Sequence, residues 1–172
     1  MRALFALVLM LLLSGCLEGP VDSSFKAFQA LEAGHGLSSN QLTPSSGIAS
    51  FKTAVERFNE TLSNDSSLAP LKLWVAARID LLDAELALQD IEELNLRFGS
   101  TLSCTNKFEE LSTAYATATE KTDAALSKFS LLKQKYQDAY EKFMQGNGFE
   151  ESLSTLSAAL HRAQDAMKSY CA

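Results

Sequence analysis

His35, His161 and three cysteines are the side chains here with the most capacity for metal ligation or nucleophilic chemistry. Glu32-Ala33-Gly34-His35 has the Glu-x-x-His spacing that lets a carboxylate and an imidazole on one helical face share a metal. Such sites need a second copy and further inward glutamates, and the residue three before His161 is Ala158. Gly34 and Gly36 flank His35, so its expected place is a helix end, where a histidine meets terminal carbonyls and the macrodipole. No metal and no cofactor is expected. Ser157, His161 and Asp165 carry the side-chain types of a catalytic triad at four-residue steps. One helical ridge does not hold three such groups in a hydrogen-bonded chain beside an oxyanion site, so they are read as a solvated face. The sequence contains no Cys-x-x-Cys-His haem attachment, no paired-cysteine zinc spacing and no Gly-rich phosphate loop. With no catalytic constellation to assemble, the chain is not expected to be an enzyme.

The chemistry of Cys16 depends on what precedes it. Arg2 is the only charge before Glu18, and residues 3–13 form an unbroken apolar run followed by Ser14, Gly15 and Cys16. A basic start, a short apolar core and small residues read as a secretory signal. As a helix the run reaches only about 17 Å, against a hydrocarbon core of roughly 30 Å. Leu13-Ser14-Gly15-Cys16 resembles the lipobox of prokaryotic lipoproteins, bacterial or archaeal, with leucine three positions before the cysteine and small residues between. This resemblance implies a lipid (diacylglyceryl, palmitate-labelled) on the Cys16 thiol and cleavage between Gly15 and Cys16. The chain then divides into a signal peptide 1–15, a lipidated tether 16–23 and a single helical domain 24–172. Two acyl chains suffice for stable anchoring without a polybasic patch. The implied address is the outer face of the cytoplasmic membrane. In a Gram-negative source it is the outer membrane, because Leu17 rather than aspartate follows the cysteine.

The rest of the chain must be built from few, long elements. Its eight glycines and three prolines leave 71–98 and 100–145 without either, which argues against sheets and their frequent turns. An all-α antiparallel bundle of about five helices is expected. The first, 22–34, carries Phe25, Phe28 and Leu31, and the second, 47–63, carries Ile48, Phe51, Val55, Phe58 and Leu62 on one stripe. In the third, 67–98, Ser67 can act as cap and Pro70 falls in the first turn. Leu68, Leu71, Val75, Ile79, Leu82 and Leu86 form one of its stripes. Trp74, Ala77, Leu81, Ala84, Leu88, Ile91 and Phe98 form another on the opposite side, interrupted at Asn95. A helix apolar on two faces needs neighbours on both, which makes it the central helix. The fourth, 104–145, would be about 63 Å long if unbroken. Either the molecule is elongated or this helix breaks, and the place expected for a break is 112–122, where Ser112, Thr113, Thr117, Thr119 and Thr122 lower helix propensity. The fifth, 150–171, should fold back at Gly146-Asn147-Gly148 as an antiparallel hairpin.

Those elements decide what Cys104 and Cys171 can do. Two cysteines in an exported chain suggest a disulfide. A simple fold-back at Asn147 instead brings Cys171 alongside residue 123, roughly 28 Å from Cys104 along a straight helix. An intramolecular bond, buried thiols and an intermolecular bridge all stay open. The aromatic stripe Phe108, Tyr115, Phe129, Tyr136 and Phe143 is read mainly as core. The exposed half of the long helix could receive a second chain, and Trp74, Phe98 and the tyrosines could line a pocket inside the bundle, which makes Trp74, Tyr115, Tyr136 and Phe143 the candidate partner or ligand surface. Asn59-Glu60-Thr61 and Asn64-Asp65-Ser66 match the glycosylation sequon, usable only where that pathway exists.

Ala54-Val55-Glu56-Arg57-Phe58, and Gly148-Phe149-Glu150-Glu151 leading to Ala158-Ala159-Leu160, resemble the second helix of tetratricopeptide-like pairs, although no period of about 34 residues recurs. The acidic balance, net −6, gives no footprint for nucleic acid. The expected function is that of a membrane-anchored extracytoplasmic helical lipoprotein, a protein–protein interaction, adaptor or envelope-structural subunit. Its partner would be an envelope protein or a second copy. The alternative is a small-ligand-binding lipoprotein with a pocket inside the bundle.

Overall fold

A computed structural model describes residues 19–35, 47–62, 64–98, 106–144 and 149–170. The described residues form six α-helices and one 3-10 turn: α1 (Pro20–Gly34), α2 (Ile48–Thr61), the turn Ser66–Leu68, α3 (Ala69–Phe98), α4 (Asn106–Lys135), α5 (Gln137–Met144) and α6 (Phe149–Tyr170). The protein is an all-α bundle. Among the described residues, no helix is long and apolar enough to cross a membrane.

Local chemistry sets the helix ends. Pro20 starts α1, inside the stretch 16–23 expected as tether, because a first-turn proline forfeits no hydrogen bond and Asp22 suits the positive end of the dipole. At the other end the His35 N–H reaches the Glu32 carbonyl at 3.1 Å. Gly47 enters α2 with φ +105°, a left-handed conformation that favours glycine. Asp65, rather than the expected Ser67, caps the next element. Its Oδ1 accepts the Ser67 N–H at 2.9 Å, and this bonding holds the Asp65 carboxyl below the usual range.

α3 is central, as its two stripes require. It packs against α1, α2, α4 and α5, and Leu71, Val75 and Leu82 from one stripe and Ala77, Leu81 and Ala84 from the other are wholly buried. Most of the core sits around its first half, where α1, α2 and α5 surround it and Phe25, Trp74, Phe129 and Phe143 form an aromatic knot. The Phe25–Phe143 centroids are 4.3 Å apart and Trp74 lies 5.3 Å from Phe129. A smaller cluster of Ala87, Ile91, Leu111, Ala118 and Leu160 occupies the second half.

The expected break at 112–122 is not there. α4 runs through it, because Thr113, Thr119 and Thr122 turn their hydroxyls back onto the carbonyls of Glu109, Tyr115 and Ala118 at 2.7–2.8 Å, satisfying themselves inside the helix. The helix breaks at Tyr136 instead, with no glycine or proline nearby. The separate short helix α5 carries Tyr140, Phe143 and Met144 into the aromatic knot. Hence six helices appear rather than five. The fold-back register differs too: Asp123 on α4 faces Ser157 and His161 of α6, not the end of the chain.

One buried ion pair ties α1 to α3. Arg78 Nη2 donates to Glu32 Oε1 at 3.0 Å, with both side chains 5% exposed. Arg78→Ala should cost about 3–5 kcal/mol, because it strands a buried carboxylate. Glu32→Leu with Arg78→Met should recover most of that loss, as read from urea unfolding. Burial raises the Glu32 carboxyl above its ordinary value, with Arg78 pulling the other way. The folded state then holds the proton more tightly than the unfolded one, and this group's contribution falls as pH climbs through and beyond the ordinary carboxylate range. Relative to Glu32→Gln, the natural protein should therefore lose stability as pH rises from about 4 towards neutrality.

Candidate functional site

The sequence candidates separate into groups. Gly15, Cys16, Cys104 and Cys171 lie outside the described residues. Glu32 and His35 do not converge on a metal. The Glu32 carboxylate faces Arg78, and the His35 ring lies 5.2 Å from that of Phe51 while its backbone closes α1. Among the described residues, no group of three or more His, Cys, Asp or Glu side chains is placed to hold a metal ion.

Ser157 and His161 do meet an aspartate, but it is Asp123 from α4 rather than Asp165. Ser157 Oγ donates to Asp123 Oδ1 at 2.6 Å, and His161 Nε2 lies 2.8 Å from Oδ2. The carboxylate therefore sits between serine and histidine. In a working triad the histidine stands between them and takes the serine proton, so this order does not activate Ser157. What the geometry does is clamp α6 to α4. The partners are 34 and 38 residues apart, and no local spacing announces them. Asp123→Ala should cost about 1–2 kcal/mol by thermal unfolding, and a fluorophosphonate probe should leave Ser157 unlabelled on peptide mass spectrometry.

The four aromatic candidates do not form one surface. Trp74 and Phe143 are core residues, 4% and 3% exposed, and their centroids are 5.7 Å apart. Phe143 is a candidate as part of the exposed half of a long helix, and Trp74 as the lining of a pocket inside the bundle. Beyond the break at Tyr136, α5 sets Phe143 against Phe25 of α1 and Trp74 of α3, which leaves neither Phe143 nor Trp74 on an accessible patch. Tyr136 is half-buried beside the same core, and Tyr115 is half-buried in the smaller cluster.

Spacing alone does not reveal the open groove between the second half of α3 and the first half of α4. α2 has 14 residues and reaches about 21 Å, whereas α3 has 30 and reaches about 45 Å. Neither α1 nor α2 is long enough to follow α3 to its end. Beyond them α3 and α4 enclose a solvent-open volume of about 670 Å³, with Ala87, Leu94 and Ala114 on the floor and Asp90, Glu109 and Glu110 among the walls. Leu96, just beyond, is 79% exposed.

No family model matches the chain, and no curated protein or solved structure matches it. The two segments resembling tetratricopeptide helices fall on α2 and α6, which pack on different helices, α3 and α4 respectively.

Proposed function

We propose that this chain is a lipid-anchored extracytoplasmic protein whose helical body binds another protein, as an adaptor, accessory or envelope-structural subunit. The anchor half of the reading rests on Leu13-Ser14-Gly15-Cys16. The observation that carries the binding half is the groove. It is long and open, with exposed walls, a shape suited to another chain, whereas small-molecule sites enclose most of their ligand. Trp74, the residue best suited to line an internal ligand pocket, is instead filled around by Phe25, Phe129 and Phe143.

Palmitate labelling of the natural chain and of Cys16→Ser tests the anchor. The natural chain should carry label and sediment with membranes; the variant should lose the label and leave the membrane fraction. In-cell crosslinking of the anchored protein should recover a specific envelope protein. Label retained on Cys16→Ser would remove the anchor, and a body that remains monomeric without crosslinked partners would remove the binding role.

A further inference from the structure

The charges along the α3–α4 seam change character at the groove. Asp80 pairs across the seam with Lys128, and Asp83 with Lys121 at 3.9 Å and with Lys52 of α2 at 2.8 Å. Further along the same antiparallel register, the described residues that line the groove include no lysine or arginine. The positions facing Asp90 and Leu94 across the groove are Thr113, Thr117 and Glu110. Asp90, Glu109 and Glu110 are exposed and have no ion-pair partner among the described residues. Carboxylates from both helices thus face one apolar floor. Like charges held this close repel, and a cation placed between them gains from every one.

We infer that the groove docks a cationic amphipathic helix of a protein partner, with apolar side chains on Ala87, Leu94 and Ala114 and flanking lysines or arginines between Asp90, Glu109 and Glu110. This rests on the reading that the body works by binding protein, and it names the chemistry of the partner. The floor from Ala87 to Leu94 is about 11 Å long, two turns of helix, so leucines at i, i+3 and i+7 of the partner span it. Charge complementarity of this kind speeds encounter and selects the partner, and it is screened by salt.

The test uses the full-length mature protein in detergent micelles and a labelled synthetic helix of leucine and lysine at that spacing, followed by fluorescence anisotropy. One peptide should bind per chain, at least tenfold more weakly when salt rises from 50 to about 500 mM. Asp90→Lys with Glu110→Lys should weaken binding at least tenfold. The milder Asp90→Asn with Glu110→Gln should weaken it severalfold while leaving the circular dichroism melt unchanged, which separates lost docking from lost folding. A peptide of the same composition with its leucines scattered around the helix should bind at least tenfold more weakly. Equal binding of the scattered peptide, or indifference to both double variants, overturns the inference. So does concentration-dependent self-association on sedimentation that Asp90→Lys with Glu110→Lys abolishes, since the groove would then hold a second copy. If crosslinking finds an envelope partner that contacts another face, this inference fails while the broader binding role stands.

Discussion

Two thirty-residue helices, α3 and α4, lie antiparallel against each other, and every other element is placed by reference to that seam. Close approach over such a length needs small side chains. Buried alanines 77, 84 and 87 on α3 and 118 and 125 on α4, with Thr122, supply them. α1, α2 and α5 then close the first half of α3, and α6 lies along α4. The seam is longer than any helix that covers it, and the groove is the uncovered remainder.

Electrostatics follows the same division. In the covered half the carboxylates are answered across helices: Glu32 by Arg78, Asp80 by Lys128, Asp83 by Lys52 and Lys121, and Asp22 on α1 by Lys142 on α5. The exposed pairs add little energy each. Their value is in register, since a slip of one turn separates several pairs at once. The buried Glu32–Arg78 pair is the strictest of them, because mispacking leaves a charge without water or partner. Around the groove, where no described helix imposes a register, Asp90, Glu109 and Glu110 have no ion-pair partner among the described residues.

The helical stripes were legible because burial on one face of a helix leaves a period near 3.6, and the paired stripes of 67–98 correctly demanded two neighbours. The break in the fourth helix was not legible. Its threonine-rich stretch looks weak by propensity, but Thr119 and Thr122 are buried and bonded to their own helix. The true break at Tyr136 has no local breaker and lets Tyr140, Phe143 and Met144 reach the core. His35 was correctly placed at a helix end, but the carboxylate three residues before it had an unforeseen partner in Arg78, 46 residues away. For Asp123 the only local signal was its place on the more polar side of α4.

By itself the sequence determined the all-α class, the stripes that must be buried and the lipobox residues that imply an address. These are properties of residue type and local spacing, which the chain carries whether folded or not. Only the tertiary structure decided where the long helix is interrupted, which aspartate meets Ser157 and His161, and which carboxylates line the groove. Those outcomes depend on the relative lengths and register of separate helices. Packing across the α3–α4 seam sets both, and no local window of the sequence contains them.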